Sequence, residues 1–314
     1  MNALTQVPAS LVPQVEQVKT LLRNRHAEST RRAYAADLLA FKGWADQHGI
    51  DALPATPESV ALFLAAQASE GKRPATLQRR LAAIRHLHRE AGYPSPTDAE
   101  VVTAAMAGCR RTLGAAQRQV APATAERLQS MLGVCGADLV GKRDRALLAL
   151  GFGGAFRRSE LVALRVEDLE FAQEGLKVRV QRSKTDQDGI GQTVPVLDGP
   201  RLSVKAAVSD WMTAAGIESG PLFRRLIKGG TVTQDSLTDR SVANIIKDRA
   251  EQAGLDANQF SGHSLRAGFL TSAAANGADL WKMAEVSRHR KIETLRTYVR
   301  QAQAFQGHAG AAFM

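Results

Sequence analysis

The sequence predicts a mainly α-helical protein of two domains, the second of which also carries a small β-hairpin or sheet. Three observations lead there. Helix start and stop signals recur through residues 1–113. Residues 114–122, GAAQRQVAP, are small and polar with a proline close to the next helix start, which is linker composition. After them the helical patterns are broken by two short alternating runs, Lys177-Val178-Arg179-Val180 and Gln192-Thr193-Val194-Pro195-Val196.

In chain order, a weaker helical pattern over 13–24 comes first. Ser29 or Thr30 can cap a helix carrying Tyr34, Leu38, Leu39, Phe41 and Trp44, which Gly49 stops. Thr56-Pro57-Glu58 combines a cap, a first-turn proline and an early acid. The helix it opens holds Val60, Leu62, Phe63 and Leu64 and ends near Gly71. The next, Ala75 to about Ala91, sets Leu77, Leu81, Ile84 and Leu87 on one face and Arg79, Arg80, Arg85 and Arg89 on the other. A last one runs from about Thr97 to Leu113. In the second domain helices are expected at 123–133, 141–152, 158–164, 199–214, 236–253, 265–276, 279–287 and 292–301. SKTDQDGIG joins the two alternating runs as a polar turn.

The formal net charge is +10. Residues 1–119 hold 15 Lys and Arg against 10 Asp and Glu, and the remainder holds 26 against 21, so each part contributes +5. A basic excess on both domains suits a clamp on a polyanion, although a basic protein without such a partner remains open on charge alone. The two cysteines, Cys109 and Cys135, offer neither a disulfide framework nor a four-ligand zinc set, which fits a reducing cytoplasm. No apolar run approaches the roughly 20 residues of a membrane helix, and MNALTQVPASLVPQVEQ lacks the layout of a signal peptide. A soluble cytoplasmic protein with no membrane contact is expected.

Four short patterns in the second domain carry chemistry. Arg157-x-Ser159-Glu160 sets an arginine and a glutamate one helical turn apart. Lys184 lies at the hairpin tip, where a mobile loop can swing it onto a substrate. Gly262-His263-Ser264-x-Arg266 puts a histidine and an arginine at one helix start, an end that favours anions. His289 is followed nine residues later by Tyr298, which Arg296 and Arg300 flank; a nearby positive charge favours phenolate and attracts phosphate. Alone, the first three have ordinary readings: a surface ion pair, a solvated turn lysine, a capping histidine with an exposed arginine.

Their order, however, resembles the signature of the tyrosine recombinase, or phage integrase, family. The resemblance covers about 123–302, and residues 1–113 resemble the helical core-binding domain of the same enzymes. SGHSLRAG and the short tail after Tyr298 look most like the Cre branch. The resemblance implies a two-domain, C-shaped DNA clamp and strand exchange through a 3′-phosphotyrosyl intermediate and a Holliday junction, with no cofactor, metal or ATP. It implies that Arg157 and Arg266 grip the non-bridging oxygens of the scissile phosphate and that Tyr298 attacks phosphorus. Lys184 would protonate the leaving oxygen, His263 would take or orient the tyrosine proton, and His289 would hydrogen-bond a non-bridging oxygen. Glu160 would hold an arginine or His263. Two positions depart from the family pattern: Ala155 and Arg288 stand where glycine is common. Arg158 beside Arg157 leaves the register of the first arginine open by one, though Glu160 at the third position after it favours Arg157.

The implied partner is double-stranded DNA with an inverted-repeat site, bound by a homo-tetramer that is monomeric in solution. Candidate groove-reading residues are Arg79, Arg80 and Arg85 in the first domain and Arg240, Asn244 and Lys247 in the second, with solvated basic faces as the alternative. Phe305, Ala311, Ala312 and Phe313 form an apolar end to residues 303–314, which the resemblance implies would dock on a neighbouring subunit, with a frayed terminus as the alternative. A type IB topoisomerase, a telomere resolvase and a catalytically silent DNA-binding regulator are the competing functions.

Overall fold

A computed structural model describes residues 8–25, 27–114, 120–181 and 191–302. The chain divides into two compact units, Met1–Arg118 and Gln119–Met314.

The first unit contains α1 (Val12–Asn24), α2 (Glu28–Gln47), α3 (Pro57–Ser69), α4 (Pro74–Ala91) and α5 (Glu100–Leu113). The Thr56 hydroxyl accepts from the Ser59 N–H at 3.2 Å, with Pro57 in the first turn of α3. Helix α2 begins before Ser29 and Thr30, at Glu28 with Ala27 in the cap position, so neither hydroxyl residue caps it. Phe41, Val60, Phe63, Leu64, Leu77, Leu81, Ile84, Val102 and Met106 form one core. Leu39 and Leu62 are outside it, 72% and 59% exposed.

Asp37 is buried on α2 and pairs with two arginines of α4, of which Arg79 stays half exposed. Arg79 donates to it through Nε at 2.7 Å and Nη2 at 3.0 Å, and Arg80 Nε approaches at 3.6 Å. Arg80 also lies over the Phe63 ring, with 12% of its side chain exposed. That placement weighs against a groove-reading role: the guanidinium lies between a buried carboxylate and an aromatic face, with Nε and Nη1 buried and without hydrogen-bond partners among the described residues. Arg85 donates to Asp98 at 2.6 Å and Thr97 at 3.0 Å, anchoring the turn before α5.

The second unit starts with α6 (Ala125–Gly133), α7 (Leu139–Gly153) and α8 (Arg158–Ala163). A three-stranded antiparallel sheet follows: β1 (Leu169–Phe171), β2 (Gly175–Val180) and β3 (Gln192–Leu197), with Val178 opposite both Leu169 and Val194. Leu176, Val178, Val180, Val194 and Val196 alternate inward, as a half-buried sheet requires. Then come α9 (Val204–Ala215), the hairpin β4 (Arg224–Leu226) and β5 (Val232–Ser236), α10 (Asp239–Gln252), α11 (Ser264–Ala275), α12 (Leu280–Ser287) and α13 (Ile292–Ala302). Helix α9 starts later than expected because Gly199 and Leu202 pair in a small bridge. The segment before α10 is strand rather than helix up to Ser236, and Thr238 caps the helix proper.

Helix α7 packs along α9, whose Trp211 is buried and donates to the Leu222 carbonyl at 2.8 Å. Helix α11 sits backbone-close to the start of the unit: the Ala123 N–H donates to the Ser264 carbonyl at 2.9 Å, and a Cβ on Gly268 would stand 1.8 Å from the Ala123 carbonyl oxygen. Gly268→Ala must therefore push backbone from backbone. A loss of about 1–3 kcal/mol is expected, read as a lower Tm. An unchanged Tm would show that α11 can shift freely.

Candidate active site

Arg157 immediately precedes α8 in extended conformation, and Glu160 reaches back to it. Glu160 Oε2 accepts the Arg157 backbone N–H at 2.9 Å, and Oε1 accepts its Nη1 at 2.5 Å. Oε2 also accepts Nη2 of Arg288 at 2.8 Å. The carboxylate is fully enclosed, 0% exposed. Burial by itself would raise its pKa. The Arg288 charge, the Arg157 amide and the Arg157 guanidinium outweigh burial and hold it below the ordinary carboxylate range. It is Arg157, not the exposed Arg158, that holds this carboxylate. The Arg158 stem lies instead on Gly262, where a Cβ would meet its Cδ at 1.7 Å; the missing side chain lets the loops before α8 and α11 close together.

Arg266 is on the first turn of α11 and is 1% exposed. Its Nη1 donates to the Ala155 carbonyl at 2.7 Å, and its Nη2 lies 3.2 Å from His289 Nδ1. Its Nε is buried with no hydrogen-bond partner among the described residues. Burial first, then Arg157 and Arg288, push the guanidinium down to about 9, which still leaves it charged at neutral pH. Crowded buried guanidiniums, two of them (Arg266 and Arg288) with an unmet Nε donor, form a site whose charge and donor count ask for an anion.

His289 follows α12 and meets Ser287, whose Oγ lies 2.8 Å from Nδ1 and donates to the Met283 carbonyl at 2.5 Å. The hydroxyl has one proton, so the second contact requires Nδ1–H; Nε2 is then the nitrogen free to accept from Arg266 Nη2, at 3.5 Å. Burial, Arg266, Arg157, His263 and Arg288 push the imidazole down to about 3. His263, just before α11, is lowered in the same direction by desolvation and by Arg266, Arg157 and Arg158. Both rings are neutral at pH 7.

Tyr298 is half-buried on α13, against the cluster of Leu270, Ala274, Met283 and Leu295. Burial raises its phenol above the ordinary value, and Arg266 pulls it back in part. The expectation that Arg296 and Arg300 favour the phenolate is thereby corrected. Both are exposed, and residues two apart on a helix do not face each other; the charge that reaches the phenol comes from α11.

Arg157 thus contacts Glu160 and Arg266 contacts His289, the two pairs are joined through Arg288 and the Ala155 carbonyl, and His263 and Tyr298 both feel the charge of Arg266. Lys184 and residues 303–314 lie outside the described residues. Arg240 and Asn244 are exposed one turn apart on α10, with Lys247 partly exposed. Absent from the expected set were Arg288, Ser287 and the Ala155 carbonyl. A signal for the first and last existed: the two non-glycine residues with positive φ among the described residues are Ala155 (45°) and Arg288 (58°), the positions where glycine was expected.

The profile of the phage integrase family matches residues 123–304, and that of the phage integrase N-terminal SAM-like domain matches residues 17–92. An integrase/recombinase XerD homologue of Selenomonas ruminantium is 36% identical over 93% of this chain and 87% of its own. The Cre recombinase of Escherichia phage P1 is 24% identical over 91% and 89%, so the expected leaning towards the Cre branch is weakly supported while the family resemblance stands. Among solved structures, the Tn1549 transposon integrase in complex with transposon right-end DNA superimposes with a TM-score of 0.64 at 14% identity, over 92% of this chain and 96% of that one. XerH bound to its palindromic difH substrate gives 0.61 at 17% identity, over 87% and 76%. At these identities the structural likeness concerns the fold. No helix among the described residues is long and apolar enough to cross a membrane.

Proposed function

The chain belongs to the phage integrase family and is a site-specific tyrosine recombinase, and from that premise we propose that Arg157 and Arg266 bind the scissile phosphate of duplex DNA for attack by Tyr298. The observation that carries this is the pair of guanidiniums held by Glu160 and the Ala155 carbonyl, with an unmet buried donor on Arg266 and the Tyr298 phenol within reach of its charge. Tyr298 Oη forms the bond to phosphorus as the bond to the 5′ oxygen breaks. Neutral His263 accepts the phenol proton, which the raised Tyr298 requires. Lys184 protonates the departing 5′ oxygen. His289 stands at a non-bridging oxygen; as a neutral ring its Nε2 needs a proton to donate there, and the phosphate charge favours gaining one. The phosphotyrosyl ester conserves the energy of the broken diester, so attack by a partner strand's 5′ hydroxyl reseals DNA without ATP. Two such exchanges in a tetramer on inverted-repeat sites pass through a Holliday junction. The 1–113 unit, the 114–122 linker, the 123–302 catalytic unit and a docking tail at 303–314 complete the proposal.

A plasmid carrying two copies of the DNA that flanks the gene tests it. Deletion or inversion between the copies is expected in EDTA and without ATP. Relaxation of any supercoiled plasmid with no exchange would favour the topoisomerase reading, and binding with no strand breakage the silent regulator.

Most of the affinity is expected from phosphate contacts. Arg240→Ala and Lys247→Ala should each weaken binding and flatten the dependence of log K on log salt by about one unit. Arg80→Ala should leave that slope unchanged and lower Tm, because its partners are Asp37 and Phe63. Fluorescence anisotropy at several salt concentrations separates the two. A slope change in Arg80→Ala would return that residue to the DNA interface.

A further inference from the structure

We propose that Arg288 is a positioning residue that sets both phosphate-binding arginines and His289 at once. It touches neither solvent nor, on this account, DNA: the residue is 7% exposed. Its two terminal nitrogens make four hydrogen bonds, while Nε is buried with no hydrogen-bond partner among the described residues. Nη2 donates to Glu160 Oε2 at 2.8 Å and to the Ala155 carbonyl at 3.2 Å; Nη1 donates to the carbonyls of Gly154 at 3.1 Å and Val286 at 2.7 Å. The guanidinium plane lies over the Phe156 ring at 4.9 Å.

Two of those acceptors are shared with the arginines assigned to the phosphate. Glu160 also holds Arg157, and the Ala155 carbonyl also holds Arg266 at 2.7 Å. Arg288 is therefore the common partner of both supports. It fixes the third group as well, because its backbone precedes His289, which sits 3.2 Å from Arg266.

The backbone adds an independent observation. Arg288 caps α12 at φ 58°, a left-handed conformation that costs a non-glycine residue of order 1 kcal/mol. Ala155, whose carbonyl it grips, has φ 45°. Glycine at 288 would relieve the local cost and lose the fork. The fork spans the turn before α8 and the end of α12, joining both positively dihedral residues in one contact. Lysine cannot replace it, since an ammonium lacks the planar pair of N–H edges that meets a carboxylate and three carbonyls.

The inference rests on the reading of Arg157 and Arg266 as phosphate ligands. Its test is single-turnover cleavage of a nicked duplex carrying the exchange site, with binding measured separately by anisotropy. Arg288→Lys and Arg288→Gly should bind DNA within about twofold of wild type. Cleavage at saturating enzyme should slow about 10-fold in the first and 30- to 100-fold in the second, the range expected when a supporting contact is lost. If Arg288 works through Glu160, then adding Arg288→Lys to Glu160→Gln should slow cleavage little beyond Glu160→Gln alone. Wild-type cleavage rates in both Arg288 variants, or multiplicative effects in the double variant, would overturn the proposal. So would a loss confined to DNA affinity, which would make Arg288 a direct DNA contact. Should Arg288→Gly fail to fold, Arg288→Lys and the double variant still decide. Failure of wild type itself to cleave would instead sink the phosphate-ligand reading.

Discussion

Arg266→Ala is expected to lower the rate of DNA cleavage by at least about 10³-fold, the loss typical when a charged donor to a transferring phosphoryl group is removed. The size follows from position. Arg266 is enclosed, its charge reaches Tyr298, and one of its three donor nitrogens is unmet. In so dry a site the interaction with a phosphorane-like oxygen is little screened. Arg266→Lys should recover little, since a single ammonium cannot hold the Ala155 carbonyl and His289 together. Rapid-quench cleavage at saturating enzyme measures this. A loss below tenfold in Arg266→Ala would remove it from the reacting centre.

Glu160→Ala is expected to cost about 3–5 kcal/mol of stability, the usual result of breaking a buried ion pair from one side. Arg157 and Arg288 would face each other with no anion between them. Glu160→Gln keeps the size and part of the hydrogen bonding and should lose less. The pH dependence has a definite direction. The folded carboxyl titrates below its unfolded value, so its contribution is present above the ordinary carboxylate range and is lost as pH falls through the folded pKa. Thermal melts should therefore show the gap between wild type and Glu160→Gln closing in acid. A gap that stays constant with pH would mean that the carboxylate is not the stabilising species.

Much of the fold and the ordered site could be read from residues, because caps and periodicity are local. Thr56-Pro57 opens α3, and the alternation around Val178 and Val194 becomes β2 and β3. What stayed hidden depends on distant partners. Nothing near Arg80 in the chain says that Asp37 lies under it, so a helix face of arginines looked like a DNA surface. The strands β1, β4 and β5 are short, from three to five residues, and lack an alternating run long enough to stand out. Arg288 stood out only as a departure from an expected glycine because its partners, Glu160 and the Ala155 carbonyl, are more than a hundred residues earlier. The phenol's environment was misjudged for the same reason: helix neighbours in sequence point elsewhere, and Arg266 comes from another helix.

In the proposed function Tyr298 becomes joined to DNA. A suicide duplex, nicked just beyond the exchange point so that the short fragment bearing the released 5′ hydroxyl diffuses away, should trap wild-type protein as a covalent adduct on a denaturing gel. Digestion and mass spectrometry should find the nucleotide on the peptide containing Tyr298, and Tyr298→Phe should bind the same duplex and form no adduct. An adduct that persists in Tyr298→Phe, or none from wild type on a duplex that it binds and recombines, would contradict the account.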